Sequence, residues 1–291
     1  MSTLATRPSG VGGLLATLWR RGLRRERMVR AAGASDPGRV RLNNEDCFVM
    51  ADLVEPARTV WSDGEAAALA SSRPLLVVAD GMGGAAGGEI GSAMAGTIIC
   101  GQMQDAVRER RLRTAWQWRK TLIEAFDVAN RRIHDRARHD AALNGMGTTA
   151  TAAAIARDVL YVAHIGDSRA YLVRDGKATR LTRDHTWLQY IRDAGRSADL
   201  SADDPRRNAL LKALGTGREL TADFFHTPVR PHDTVVLCTD GLWSAVDDGE
   251  LARLAAAHDD LAALCETLLG LASERGGQDN ATAVVARVGE P

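Results

Sequence analysis

The sequence predicts an α+β fold built as a β-sandwich with helices packed on it, and three observations point there. Short, strand-sized apolar runs alternate with longer stretches of helical periodicity. The helical stretches come in pairs, one spanning Ile90 to Ile133 with a break before Thr114 and one at about 248–274. Between the pairs lies a β-rich block whose turns, Ala156-Arg157-Asp158 and Arg174-Asp175-Gly176-Lys177, mark antiparallel hairpins rather than parallel crossovers.

Taken in order, residues 1–27 form an appendage that opens in Ser, Thr, Pro and Gly and ends in the cluster Arg20-Arg21-Gly22-Leu23-Arg24-Arg25-Glu26-Arg27. A solvated, mobile tail is the favoured reading. Leu14, Leu15, Leu18 and Trp19 would also suit a short helix on an anionic membrane surface, although Gly12, Gly13 and Gly22 weaken it. Cys47–Met50 and Leu75–Ala79 read as strands, separated by a polar, Ala-rich insertion at 52–73. In the first helix Ile90, Met94, Thr97 and Ile98 share a face. In the second, which starts after a break before Thr114, Leu122, Phe126, Ala129 and Ile133 do. Strands are expected at Thr148–Ile155, Val159–Ile165, Ser168–Val173 and Ala178–Leu181. A strand-poor polar stretch follows from Thr182 to about Thr221. Strands return at Phe224–Val229 and Thr234–Cys238, then the second helix pair, then a last strand at Asn280–Val288.

The 291 residues carry 37 Lys+Arg against 37 Asp+Glu, so no net charge favours nucleic acid as a partner. No apolar run approaches the roughly 20 residues of a membrane-spanning helix. Four cysteines, at 47, 100, 238 and 265, form no CxxC pair and read as small core residues, consistent with a reducing, cytoplasmic setting.

The chemistry lies in the acidic residues. Asp80, Asp167 and Asp240 end apolar strands, while Glu45, Asp46 and Asp279 directly precede them. One strand-end Asp is usually a turn residue. Six around five strands place carboxylates along one rim, where each close pair at about 5 Å costs roughly 3 kcal/mol in mutual repulsion. Raised pKa values or bound cations relieve this, and an all-oxygen set selects Mg²⁺ or Mn²⁺ over zinc. Gly after Asp80 and after Asp240 lets the backbone approach and offer a carbonyl ligand. Metal-assisted hydrolysis of a phosphate ester follows. No GxSxG elbow and no GxxxxGK[ST] loop competes, and Gly81–Gly88 has the wrong spacing for a dinucleotide fingerprint. Ser168 has no His placed in sequence to serve as its base.

The ordered motifs Ser35-Asp36-Pro37-Gly38 with Arg41-Leu42-Asn43-Asn44-Glu45-Asp46, Asp80-Gly81-Met82-Gly83-Gly84, Gly145-Met146-Gly147-Thr148-Thr149, Gly166-Asp167-Ser168-Arg169, Asp184-His185-Thr186, Asp240-Gly241-Leu242 and Asp279-Asn280-Ala281-Thr282 together resemble the bacterial type 2C, metal-dependent serine/threonine protein phosphatases. The resemblance runs from about Ser35 to Val288. It implies a single catalytic domain over 28–291 with a central antiparallel β-sandwich flanked by helix pairs (four layers, α-β-β-α) and a flap over about 182–221. It implies two tightly bound Mn²⁺ or Mg²⁺ ions and a third, weaker one. Asp80 would bridge the first two, the Gly81 carbonyl would bind one of them, and Asp240 and Asp279 would hold the other. Glu45 and Asp46 would orient water, Asp167 would help hold the third ion, and Arg41 would bind the phosphate. A metal-activated water would attack phosphoserine or phosphothreonine in line, and the expected partners are phosphorylated substrates of a Ser/Thr kinase. Met82 stands where animal members carry a His proposed as general acid. Two other readings are a catalytically weak, phosphoprotein-binding regulatory module of the same fold and a two-metal nuclease or small-molecule phosphatase. The complete acidic set speaks against the first. Neutral charge and 4% aromatic residues speak against a nucleic-acid groove.

Overall fold

The computed structural model describes residues 27–62, 67–83, 87–195 and 209–290. The Arg-rich segment 1–26 lies outside them, as do Arg206 and Arg207 of the expected flap.

The strands are β1 (Val29–Asp36), β2 (Asp46–Asp52), β3 (Thr59–Trp61), β4 (Ala67–Ser71), β5 (Pro74–Met82), β6 (Gly147–Thr148), β7 (Ala150–Ala156), β8 (Val159–Ile165), β9 (Arg169–Arg174), β10 (Lys177–Arg180), β11 (Asp223–Pro228), β12 (Thr234–Cys238) and β13 (Ala281–Val288). The helices are α1 (Gly87–Arg108), α2 (Ala115–His139), α3 (Trp187–Asp193), α4 (Asp240–Trp243), α5 (Asp248–Ala257) and α6 (Leu261–Glu274). One sheet runs β10-β9-β12-β13-β1-β4 and the other β11-β8-β7-β5-β2-β3, with β6 added beside β5. Every described pairing is antiparallel, as the hairpin signals require.

Three apolar layers hold these elements. Between the sheets, Phe48, Met50, Leu76 and Val78 face Val235, Leu237 and Val284. The other face of the second sheet buries Val49, Leu75 and Val77 against Ile99 and Met103 of α1 and Leu122, Phe126 and Ile133 of α2. The other face of the first sheet buries Val236, Ala283 and Val285 against Leu251 of α5 and Leu264 and Leu268 of α6. Strands buried on both faces explain why β5, β12 and β13 read as continuous apolar runs. The two hairpin turns form with positive φ at Arg157, Asp158, Asp175 and Gly176, the conformation that lets a two-residue turn follow the strand twist. Thr114 caps α2, its hydroxyl accepting from the Gln117 amide while the Gln117 side chain reciprocates.

Several expectations shift. The 52–73 insertion carries β3 and β4, which extend one edge of each sheet. Strand β1, rich in Ala and Gly, sits between β13 and β4 although its sequence lacks the β-branched signature. Its Gly33 leaves room for the Phe48 ring, which a Cβ would approach to 2.8 Å. Of the face expected for α1, Ile98 is buried and Ile90 and Met94 pack against the core while Thr97 is exposed; Ser92, Ala95, Ile99 and Met103 are buried as well, the small residues letting the helix sit close on the sheet. In α3, Trp187 is exposed and stacks on Tyr190 at 5.5 Å. All four cysteines are buried and free. Among the described residues, no helix is long and apolar enough to cross a membrane.

Candidate active site

The antiparallel register between β2 and β5 sets Asp46 directly opposite Asp80, so both side chains leave the same face of one sheet. Asp80 is not the end of its strand: β5 runs on to Met82, pinned by the Thr149 hydroxyl accepting from the Asp80 amide (2.9 Å) and by the Asp80 carbonyl accepting from the Thr149 amide (2.8 Å) and the Thr148 hydroxyl (2.9 Å). On the facing sheet, β12 and β13 pair so that Asp240, opening α4, and Asp279, preceding β13, come to the same rim. Asp167 follows β8 and adjoins Gly166, whose φ of +105° and 2.5 Å approach to the Thr149 side chain exclude any side chain there. The rim residues expected from sequence are therefore brought to one end of the sandwich.

Hydroxyls bridge the two sheets beneath them. Thr239 and Thr282 each donate to Asp46 Oδ2 at 2.7 Å. Ser35 meets the Thr282 hydroxyl at 2.7 Å, and Asn44 Nδ2 donates to Ser35 at 2.8 Å. Asn280 locks the loop that carries Glu45, accepting from the Glu45 amide at 2.9 Å and donating to the Pro37 and Asn43 carbonyls. The Glu45 carbonyl accepts from the Gly81 amide (3.1 Å) and the Ser92 hydroxyl (2.6 Å). Gly81 itself is required, since a Cβ there would lie 2.1 Å from the Gly88 carbonyl oxygen.

Electrostatics on the rim are strained. Burial, then the neighbouring carboxylates, raise Asp80 well above the ordinary carboxylate range. Burial lifts Asp46 to about 7, against the two threonine hydrogen bonds that lower it. Asp167 is pushed up to about 8 by burial and by Asp240 and Asp184. Asp240 reaches about 6 through burial and Asp279, and a hydrogen bond from the Asp80 carboxyl partly offsets this. Asp46 Oδ1 and Asp240 Oδ1 are buried and have no hydrogen-bond partner among the described residues, a costly state for a carboxylate unless a cation faces it. Arg41, half exposed, donates to Asp279 Oδ2 at 2.8 Å.

Beside the rim stands a second network that single-sequence reading did not assign. Arg169 holds Asp184 with two hydrogen bonds (3.0 and 2.7 Å) and lies 3.6 Å from the centre of the Trp243 ring. The Trp243 indole N–H donates to the Asp167 carbonyl at 2.9 Å. Its signals were the Gly-Asp-Ser-Arg and Asp-His pieces, whose mutual contact only the fold reveals. Ser168 is fully buried with its hydroxyl 2.6 Å from that of Thr149, which makes it a structural residue and no nucleophile. Beyond Asp46 the rim opens into a cavity of about 520 Å³ lined by Asn44, Trp61, Glu89 and Ser92.

A family model described as Protein phosphatase 2C matches residues 61–280. The chain belongs to the protein phosphatase 2C family. The chain is 32% identical over 256 residues to the serine/threonine phosphatase stp of Listeria welshimeri, covering 86% of this chain and 92% of that protein. It is 35% identical over 262 residues to the serine/threonine protein phosphatase PstP of Mycobacterium tuberculosis, covering 90% of this chain but 45% of that longer protein. Among solved structures, the Streptococcus agalactiae (S. agalactiae) serine/threonine phosphatase superposes with a TM-score of 0.78 at 27% identity, covering 89% of this chain and 99% of that one. The catalytic domain of PstP in complex with two manganese ions superposes with a TM-score of 0.70 at 32% identity, covering 90% and 100%. The sandwich and the paired helices are thus those of a 2C phosphatase.

The donor set fits the divalent ions of such a 2C phosphatase. The rim carboxylates and the Gly81 carbonyl would offer an all-oxygen set without sulfur or imidazole, and two of the buried carboxylate oxygens have no partner among the described residues. Among the described residues no group of three acidic, His or Cys side chains is already gathered to hold an ion, so water and backbone oxygen would complete the shell.

The raised pKa values set a sign for pH dependence. With Asp46 at about 7, Asp167 at about 8 and Asp240 at about 6, the metal-free rim holds protons near neutral pH that a bound cation displaces. Mn²⁺ affinity should therefore fall as pH drops from 8 to 6, with proton release on binding. Titration calorimetry in buffers of different ionisation enthalpy measures that release, and pH-independent affinity without proton release would contradict it.

Proposed function

We propose that this chain is a Mn²⁺- or Mg²⁺-dependent protein serine/threonine phosphatase that hydrolyses phosphoserine and phosphothreonine with an activated water and no phosphoenzyme. The single observation that carries the reading is the cross-sheet rim, on which Asp46, Asp80, Asp240 and Asp279 converge with two buried, unpartnered carboxylate oxygens. Asp80, the Gly81 carbonyl, Asp240 and Asp279 would hold the two core ions, and Asp167 would help to hold a third, weaker one. When bound, such ions neutralise phosphate charge and lower the pKa of water. The protein's own residues do the rest. Glu45 and Asp46, fixed by Asn280 and by the threonine pair, orient water at the rim. Arg41, paired with Asp279 in the absence of substrate, would turn its fork to the incoming phosphate. Met82 has no proton to give, so the leaving oxygen would draw its proton from a water or from another residue of the rim.

Names of the relatives, serine/threonine phosphatases from Listeria and Mycobacterium, support the substrate class. The partners would be phosphoproteins made by a Ser/Thr kinase. The test compares a phosphothreonine peptide, p-nitrophenyl phosphate and an oligonucleotide, each with and without Mn²⁺. Metal-dependent release of phosphate from the peptide and the small ester, with the oligonucleotide intact, is expected. Cleavage of the oligonucleotide would favour a nuclease, and tight peptide binding without turnover would favour a regulatory module.

A further inference from the structure

A cavity of about 560 Å³ opens beside the C-terminal end of α2, lined by His134, Ala137 and Arg138 of that helix, by Ala141 and Asn144 to Met146, and by Gly215 and Thr216. Its chemistry is the reverse of the metal rim. No Asp or Glu lines it. The nearby Asp140 is engaged elsewhere, pairing with Arg136 at 3.6 Å and capping a short turn through the Ala142 amide. Arg138 and Asn144 are exposed, and neither side chain has a hydrogen-bond or ion-pair partner among the described residues. His134 is held in place because its Nδ1–H donates to the Gly215 carbonyl at 3.0 Å, which leaves Nε2 uncommitted. The Gly215 amide is fixed in turn by buried Asn130 at 2.8 Å, so the far wall is rigid. At Gly145, φ is +83° and a Cβ would meet nothing within 4 Å, which marks the mouth as open.

Its distance from the chemistry follows from the register. Met82 pairs with Gly147, and Gly83 lies against the Gly145 carbonyl, where a Cβ would stand 2.6 Å away. The cavity wall is therefore reached three residues along the chain from Asp80, roughly 10 Å at strand spacing. An extended peptide covers roughly 3.3–3.6 Å per residue. A side chain about three positions from the phosphorylated residue would span that gap.

We propose that this cavity is a specificity subsite for an anionic side chain of the substrate, a carboxylate or a second phosphate, two to four residues from the phosphorylated position. Arg138 supplies the charge, with Asn144 and the His134 ring as hydrogen-bonding partners. The proposal rests on the rim as the place where phosphorus reacts, and its test separates the two. Phosphothreonine peptides carrying Ala, Lys, Asp or phosphoserine at each position from −5 to +5 are compared for kcat/KM with wild type, Arg138→Ala and Arg138→Glu. A charge-assisted contact of this exposure predicts a three- to thirtyfold preference, approximately, for the anionic peptides at one position between two and four away, expressed in KM. Arg138→Ala should erase it and Arg138→Glu should reverse it toward Lys. Asp and phosphoserine peptides distinguish a carboxylate from a second phosphate as the better occupant. Hydrolysis of p-nitrophenyl phosphate, too small to reach the cavity, should be equal in all three proteins. Peptide binding followed by fluorescence anisotropy repeats the comparison without needing turnover. Failure of the rim reading would appear as no hydrolysis of either substrate. Failure of this one would appear as no anion preference in binding or turnover at those positions, or as a preference that survives Arg138→Glu.

Discussion

Asp240→Asn should lower turnover of a phosphothreonine peptide by at least about 10³-fold while the protein remains folded, because metal-ion stabilisation of a phosphoryl transition state is worth several kcal/mol. Asp240 sits where burial and Asp279 raise its pKa to about 6 and where one oxygen has no partner. The substitution keeps the shape and removes a charge that the metal-free rim tolerates poorly. The metal-free variant should therefore melt at or above the wild-type temperature. Added Mn²⁺ should stabilise it far less than it stabilises wild type, since a ligand raises stability only through its affinity for the native state. Melting curves with and without Mn²⁺, read beside turnover, check both halves. A variant that unfolds would show instead that Asp240 serves the fold through the start of α4.

Arg41→Ala should reduce kcat/KM roughly ten- to a hundredfold, the cost of losing one charge-assisted contact of about 1.5–3 kcal/mol. In the structure this guanidinium is held by Asp279 at 2.8 Å, and that carboxylate is the leading influence raising its pKa. Two roles make different predictions. If Arg41 serves only to neutralise Asp279, its removal should tighten Mn²⁺ binding and leave substrate kinetics unchanged. If it meets the phosphate, KM for peptide and for p-nitrophenyl phosphate should rise together. Kinetics on both substrates, with a Mn²⁺ titration of the variant, separates the two roles.

The acidic rim was legible because strand-end carboxylates sit beside apolar runs that a single sequence displays openly. The pairing that makes it a site was not legible. Asp46 faces Asp80 through register, while Asp46 meets Thr239 and Thr282 only because the two sheets close on each other. Threonine at the end of a strand carries no signal that separates a propensity choice from a carboxylate anchor. Similarly, β1 was missed because Ala31 to Ala34 offers no alternation. Its place is fixed by its partners β13 and β4 and by the Phe48 ring that fills the space above Gly33. The second helix of the first pair was read correctly residue for residue, since Leu122, Phe126, Ala129 and Ile133 face one sheet at a regular period. The first was legible in part: Ile98 is buried and Ile90 and Met94 pack against the same core, whereas Thr97 is exposed and the small Gly91, Ser92 and Ala95 of the contact face carry little hydropathy. The Trp243–Arg169–Asp184 network joins three distant segments, so no local pattern could announce it.

The most direct test of the central claim, that the cross-sheet carboxylates work by holding divalent cations, is turnover of a phosphothreonine peptide by stringently chelated protein before and after Mn²⁺ is restored. Loss of essentially all activity on chelation, with the protein still folded, and full recovery on adding Mn²⁺ is the predicted result. Turnover near the untreated rate in metal-free protein would contradict it.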